Sequence, residues 1–333
     1  MKCTALARRL FACAGLSVAV AAANPPAPSL ERAEELLNSG RWEEAAAVLK
    51  AIPAEEATRG RRLIALTRLA TARGEHEQAV EYGKQAVEAL PASAEAHFRY
   101  AVALREHMSR INRLKAIGIV NAYKATLARA LQLDPRHLEA RAEEIGFLIF
   151  APAIAGGSKA KARTRIEELM RLDAQRGTTM QVLLLRSEGD TEGAIKALRE
   201  HLARAGDDAD NRLLLALTLQ EAKRFREADA ELEPLLAHHN PTTALSAMYQ
   251  LARSRILGAY ELRRAVELLT TYLERFPEGV RRLPSRATVH WRLGQAYQQL
   301  GELAQAREAF QRALALEPGH QEAAQALKAL PKG

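Results

Sequence analysis

The chain has 333 residues, of which 48% are hydrophobic and 5% aromatic, and its formal net charge is +8. Alanine and leucine dominate, and windows of strand-like alternation are almost absent, so the composition argues against a β-rich fold and favours an all-helical one. The length allows two ordinary domains or one long array of repeats. The charge is mild for such a length and does not indicate a nucleic-acid partner.

The first segment has the pattern of an export signal. Residues 1–23 combine Lys2, Arg8 and Arg9 with an apolar stretch, Leu10 to Ala23, that ends in Ala-x-Ala. A membrane span needs about 20 apolar residues, more than this stretch offers. We therefore predict a signal peptide over residues 1–23, a mature chain from Asn24, and a periplasmic location in a Gram-negative envelope. The alternative is a weak membrane anchor that is never cleaved.

Both cysteines, Cys3 and Cys13, lie in this signal-like segment. A mature chain from Asn24 would contain no cysteine, which excludes a disulfide framework, a thiolate nucleophile and a cysteine-bound metal. The sequence from Leu10 to Cys13 faintly resembles a lipoprotein cleavage box. Most of the apolar stretch follows Cys13, which argues against a lipid anchor.

Small residues recur at a fixed period along the rest of the chain. Gly40 and Gly74 are 34 residues apart, and so are Ala194 and Ala228. Internal repeats of this length are typical of stacked helix pairs, because one pair cannot bury its apolar face alone.

The stretch from His290 to Pro318 shows the pattern most clearly. Leu293, Tyr297 and Phe310 lie at helical spacing and predict a shared apolar seam, while Gly301 permits a turn between two helices. These residues and spacings strongly resemble the tetratricopeptide repeat (TPR) family. The resemblance implies an all-α, right-handed solenoid of about eight antiparallel helix pairs with a C-terminal capping helix.

The repeat pattern also divides the chain. We predict TPR-like repeats 1–2 over residues 24–93, atypical units with insertions over 94–173, further TPR-like repeats over 174–320, and the capping helix with a tail over 321–333. In the atypical part, about ten extra residues lie around Glu106 to Gly118, and the loop from Ala151 to Ser158 replaces a tight turn.

This central part resembles a narrower group, the periplasmic TPR-like T-component proteins associated with TRAP transporters. The matching residues are Leu133, Asp134, Pro135, Gly156, Gly157, Lys161 and Ala162. The resemblance implies a transport-linked helical protein that binds a small ligand or contacts a solute-binding protein. For this alternative function we expect a closed pocket near Phe98, Phe147 and Phe150.

The loop before the helix that starts near Lys159 has two interpretations. A phosphate-binding P-loop is excluded, because it requires G-x-x-x-x-G-K-[ST] after a strand. We favour a long structural turn in which Ser158 caps the helix and Gly156 and Gly157 supply unusual backbone angles. The functional alternative is an anion site at the helix start, formed by Gly156, Gly157, Ser158 and Lys159 with help from Lys161.

Catalytic patterns do not emerge from the sequence. His76 lacks the second histidine of an HExxH helix, His238 and His239 are adjacent in a predicted loop, and no serine lies in a G-x-S-x-G elbow. We expect no enzyme activity, no cofactor and no metal site. A helical enzyme is the most distant alternative.

The first helix of each pair is expected to line a concave groove. Arginines and aromatic residues beside the buried seam are the usual anchors of protein contacts. Trp291 has an alternative, packing against Leu257 or Tyr260 of the preceding unit. We predict a scaffold or adaptor that binds a protein or peptide, with no nucleic-acid partner and no membrane span in the mature chain. The groove candidates are Arg61, Arg68, Phe98, Arg105, Arg186, Leu213, Tyr249, Arg253, Trp291 and Gln295.

Overall fold

The computed structural model describes residues 28–52, 56–206, 208–276 and 283–331. The predicted signal peptide, the start at Asn24 and both cysteines lie outside these residues. The described residues form seventeen α-helices and two short 3-10 helices, with no β-strand, which confirms the predicted all-α class. Among them, none of the helices is both long enough and apolar enough to span a bilayer.

The helices follow one another as eight pairs, each with a first and a second helix, and a short helix closes the array. The first four pairs are α1 Leu30–Asn38 and α2 Trp42–Ala51, α3 Glu56–Arg73 and α4 His76–Ala89, α5 Ala94–Met108 and α6 Arg113–Leu133, and α7 Leu138–Phe150 and α8 Lys159–Leu172. The remaining elements are α9 Ala174–Ser187 and α10 Thr191–Ala205, α11 Ala209–Glu221 and α12 Phe225–Leu232, α13 Pro241–Gly258 and α14 Leu262–Arg275, α15 Arg286–Gln299 and α16 Leu303–Leu316, and the closing helix α17 Gln321–Ala329.

Local sequence sets many of the helix ends. The side chains of Ser29, Ser93, Asp173 and Ser285 each accept a hydrogen bond from a backbone amide in the first turn of the helix that follows. Such caps satisfy donors that no helical carbonyl can reach. Between α15 and α16, Gly301 has a φ of 78°, which residues with a side chain rarely adopt. The turn predicted at this glycine is therefore confirmed.

An alanine- and leucine-rich core runs between the two rows of helices. The largest apolar cluster extends from Val182 in α9 to Ala309 in α16, and smaller clusters occupy the earlier pairs. Between α15 and α16 the helices are so close that a β-carbon at Gly294 would lie 2.4 Å from the Phe310 ring. Close packing of this kind requires the small residue that the repeat pattern places there.

The third pair is lengthened by its second helix. Helix α6 has 21 residues, whereas α7, the next helix along the chain, has 13. The extra residues around Glu106 to Gly118 form the end of α5, a short turn and the start of α6. Ile117, in the first turns of α6, is 67% exposed. The break in the sequence period therefore corresponds to a longer helix.

Helix α17 covers the apolar end of the array. Leu330, directly after it, is 4% exposed and packs with Ala306 and Phe310 of α16. Trp291 and Tyr297 of α15 are partly buried against the same cluster. This is the role of a terminal cap in a repeat protein, since the last pair would otherwise expose the face that every other pair buries.

Candidate functional site

The first helices of successive pairs contact one another and form a face that we call the inner face. Contacts join α1 to α3, α3 to α5, α7 to α9, α9 to α11, α11 to α13 and α13 to α15. Within the described part of the chain, no comparable contacts join successive second helices. The row of first helices is therefore the tighter one, which in a curved array is the concave side.

Two arginines predicted for the groove bridge the first pairs of the inner face. The guanidinium of Arg61 on α3 donates to the carboxylates of Glu31 and Glu34 on α1, at 3.0 and 3.2 Å. Arg68, two turns further along α3, donates to the side-chain oxygen of Asn38 at 2.6 Å. Both arginines lie on the first helix α3, and they already hold neighbouring repeats together.

Arg105 and Arg186 make the same kind of contact in the middle of the array. Arg105 on α5 donates to Glu143 on α7 at 2.7 Å, and the Tyr123 hydroxyl donates to the same carboxylate at 3.0 Å. Burial and then the charge of Glu143 raise the pKa of Tyr123. Arg186 on α9 is bonded to Glu221 on α11. Partly exposed pairs of this kind contribute about 1 kcal/mol or less each.

Two aromatic candidates lie in the core. Phe98 is 4% exposed, and its ring lies 4.9 Å from the His137 ring. Tyr249 is 6% exposed, and its ring lies 6.1 Å from that of Tyr272. We predicted exposed positions for both, and their burial corrects that prediction. The buried stripe of a first helix is wide enough for large rings at its edge to turn inward.

Trp291 lies at the end of the array. Its ring centroid is 5.5 Å from that of His320, which precedes α17, and the Arg292 guanidinium carbon is 4.1 Å from the indole centroid. Trp291 therefore packs against His320, in the segment that leads into α17. The two predicted positions for this ring were the groove and the preceding unit, at Leu257 or Tyr260, so the contact with His320 is a third arrangement.

Further along the inner face, two arginines are bonded to amides. Arg253 on α13 donates to the side-chain oxygens of Gln220 on α11, at 2.5 Å, and of Gln250, at 3.4 Å. Arg292 on α15 donates to the side-chain oxygen of Gln295 at 2.8 Å. Burial and then the positive charge of Arg292 lower the pKa of Arg253. We call these five residues the arginine–glutamine cluster.

The loop between α7 and α8 is a structural connection. Gly156 has a φ of 108°, and the Ser158 side chain accepts a hydrogen bond from the Lys161 amide at 3.3 Å, which confirms the predicted helix cap. Gly157 has no positive φ. A β-carbon at Gly157 would lie 1.8 Å from the backbone oxygen of Ala151, so close approach is what requires this glycine.

Lys159, the fourth residue of the predicted anion site, is engaged elsewhere. Its amine donates to the backbone oxygen of Ser187, at the end of α9, at 2.9 Å. Cations at that end of a helix are favoured by the helix dipole. The lysine therefore links two helices, and its charge is used at the end of α9.

A cavity of about 530 Å³ lies between α6, α7 and α8. Apolar side chains, among them Leu127 and Phe147, form part of its wall, and Lys124, Lys161 and Arg165 contribute positive charge. A closed pocket was expected near three phenylalanines, but this cavity is partly open to solvent and only Phe147 lines it. Phe98 belongs to the core of the preceding pair, and Phe150 is 62% exposed.

Comparison with known proteins identifies the repeats. Three family models, each described as tetratricopeptide repeat, match residues 185–252, 246–279 and 287–320. Residues 185–279 and 287–320 therefore consist of tetratricopeptide repeats. Among curated protein sequences, none gives a significant match.

Solved structures share the TPR fold at low sequence identity. A thermophilic TPR protein of Thermus thermophilus is 20% identical with a TM-score of 0.50, covering 57% of this chain and 97% of its own. A TPR protein from Parabacteroides merdae is 14% identical with a TM-score of 0.50, covering 80% and 96%. The human IFIT1 dimer with m7Gppp-AAAA is 16% identical with a TM-score of 0.55, covering 90% and 70%. At these identities the likeness concerns the fold alone.

Sequence reasoning missed the polar groups buried inside the TPR array. His201 lies 2.7 Å from Asp208 through Nε2 and 3.1 Å from the Thr178 hydroxyl through Nδ1. Arg255, 6% exposed, donates to Asp229 at 3.1 Å. Many hydrogen bonds between repeats join residues about one repeat period apart, as in Arg253 with Gln220. Pairs of complementary polar residues at that separation in the sequence are a signal that could have predicted such bonds.

In the described residues, no group of three or more His, Cys, Asp or Glu side chains could hold a metal ion.

Proposed function

We propose that this TPR protein is an exported scaffold or adaptor of a Gram-negative envelope. It binds an extended or helical segment of a partner protein along its inner face, and it has no catalytic role. The observation that carries the proposal is the row of first helices, in which α5 and α7 are joined through Arg105 and Glu143 and the other neighbours pack directly. This row presents a long surface to a partner. The signal-like residues 1–23 support export.

The chemistry of the inner face fits a protein segment better than a uniformly charged ligand. Carboxylates, guanidinium groups and amides alternate along it, as at Arg61, Arg186 and Gln220. Apolar side chains such as Leu213 are partly buried beside them. A surface that mixes these groups offers both apolar area and hydrogen bonds, which is how protein interfaces gain affinity and specificity.

A second candidate function rests on the cavity between α6, α7 and α8. Its volume is within the range of small-molecule sites, and an apolar wall beside lysines suits a ligand with an apolar body and an anionic group. In that case the chain would be a transport-linked periplasmic protein that holds a small ligand or contacts a solute-binding protein. The resemblance of the central part to T-component proteins supports the same alternative.

Site-specific photo-crosslinking tests the inner face. A photoreactive residue is placed at Leu217 or Gln298, on first helices, and in matched variants at Lys196 or Gln305, which are exposed on second helices. The tagged variants are expressed from Asn24 behind a periplasmic export signal, and crosslinking is carried out in intact cells. We expect the same protein to be crosslinked from Leu217 and Gln298 and not from the matched positions.

Two other outcomes are informative. Crosslinks only from Lys196 and Gln305 would reject the inner face as the binding surface. No protein crosslink, together with a small molecule that stays bound in native mass spectrometry, would move the assignment to the cavity function.

A further inference from the structure

The arginine–glutamine cluster differs from the other charged contacts of the inner face. Arg61, Arg105 and Arg186 are bonded to carboxylates, so their charge is compensated within the chain. The hydrogen bonds of Arg253 and Arg292 go instead to the neutral oxygens of glutamine side chains. The cluster therefore places two arginines on neighbouring first helices with amides as their hydrogen-bond partners.

Partial burial makes this arrangement costly for the free protein. Arg253 and Arg292 are both only partly exposed, and the Nε atom of Arg292 is buried without a hydrogen-bond partner in the described structure. A guanidinium removed from water is stabilised best by a carboxylate that accepts two parallel hydrogen bonds, and an amide oxygen gives only part of that energy. A carboxylate brought by a ligand would supply what the chain itself does not.

The positions of the five residues hold the cluster in place. Gln220 is 4% exposed and donates to the backbone oxygen of Gln250 at 2.8 Å, which fixes its side-chain oxygen toward Arg253. Arg292 is held over the Trp291 ring. Donors that are fixed before binding lose less conformational entropy when a ligand arrives.

We propose that the arginine–glutamine cluster is the site where the inner face binds carboxylate side chains of an acidic peptide segment. This rests on the proposed function and names the chemistry of the partner. Arg253 and Arg292 supply the charged donors, and Gln220, Gln250 and Gln295 orient them. An acidic segment that lies across α11, α13 and α15 would meet both arginines.

A peptide fits the inner face better than a nucleic acid does. Glu31, Glu34, Glu143 and Glu221 already pair with arginines of the same face, so a phosphate backbone that followed the array would find no continuous run of free positive charge. The two arginines with amide partners lie on two neighbouring first helices, α13 and α15. That extent suits one or two carboxylates on a chain whose other residues are neutral.

Fluorescence anisotropy with a defined probe tests the proposal. The probe is a short fluorescein-labelled peptide of alternating glutamate and alanine, and the comparison peptide has glutamine in place of glutamate. We expect the chain from Asn24 to bind the glutamate peptide, and Arg253→Gln to weaken binding about tenfold, the loss expected for one charge-assisted contact. Arg253→Lys should be intermediate, because it keeps the charge and loses the paired donors.

Arg264→Gln is the matched control. Arg264 lies on the second helix α14, outside the inner face, and pairs with Glu267, so its replacement should change the affinity by less than about twofold. Thermal unfolding of each variant shows whether the fold is kept, and Arg253→Lys serves if Arg253→Gln does not fold. Equal binding by Arg253→Gln and wild type would overturn the proposal.

Two further results would also overturn it. One is equal affinity for the glutamine peptide. The other is a single-stranded RNA that displaces the acidic peptide and whose binding is weakened more by Arg253→Gln than the binding of the peptide is. If the crosslinks from Leu217 and Gln298 are obtained while the acidic peptide fails to bind, the inner face is still the binding surface and only its carboxylate specificity is rejected.

Discussion

Glu95 shows how one side chain joins two repeats. Its carboxylate accepts a hydrogen bond from Arg99 on its own helix at 2.6 Å and one from His137, at the start of α7, at 3.0 Å. Burial would raise the pKa of Glu95, but the hydrogen bonds from His137 and Arg99 lower it to about 2. A carboxyl group with a lowered pKa in the folded state adds stability above its unfolded pKa, near 4.5, which is lost as the pH falls toward 2.

We expect Glu95→Gln to lower the free energy of unfolding by about 1 to 2 kcal/mol at pH 7, because the variant leaves two partly buried donors with a weaker acceptor. The difference from wild type should shrink at pH 3. Urea unfolding followed by circular dichroism measures both values. Glu88→Gln is the control, since Glu88 forms only an exposed pair with Lys84. A pH-independent difference for Glu95→Gln would contradict the argument.

At the scale of the helix, two glycines in first helices have opposite environments. In α15, a β-carbon at Gly294 would lie 2.4 Å from the buried ring of Phe310. In α7, no atom lies within 4 Å of a β-carbon built at Gly146. The first glycine is required by helix packing. The second only adds conformational freedom to the unfolded chain and weakens the helix.

Alanine at these two positions should therefore have effects of opposite sign. We expect Gly294→Ala to destabilise the protein by about 1 to 3 kcal/mol through overpacking against Phe310. Gly146→Ala should stabilise it by about 0.5 to 1 kcal/mol through helix propensity. Chemical denaturation of both variants gives the two differences. If Gly146→Ala were destabilising as well, α7 would be packed more closely around Gly146 than the free space beside that residue indicates.

At the scale of the whole molecule, the repeat period predicted the architecture because every pair repeats the same packing problem. The inner face was harder to predict. Whether Phe98 and Tyr249 turn into the core depends on neighbouring helices, and the position of Trp291 depends on the cap. Arg253 lies on a first helix, α13, but its amide partner Gln220 comes from another repeat, which local spacing does not show.

The largest apolar cluster runs without a break from α9 to α16, which predicts that the second half of the array folds as one unit. We expect a fragment of residues 173–331 to unfold cooperatively and to keep the mean-residue ellipticity of the intact chain at 222 nm. The complementary fragment, residues 28–172, has smaller separate clusters and should unfold at a lower urea concentration. Equal midpoints for the two fragments would argue against this division.

The bonds that join neighbouring first helices have a consequence for genetic studies of this protein. Replacing Arg61, Arg105 or Arg186 removes a contact between repeats together with any contact to a partner, so an alanine scan would recover these positions as loss-of-function alleles through reduced abundance of the folded chain. Arg253 also joins two repeats, but its partners are neutral amides and its partial burial is costly, so its alleles should lower abundance less. Sorting alleles by steady-state protein level would therefore separate residues that mainly hold the solenoid from those that we propose contact the partner.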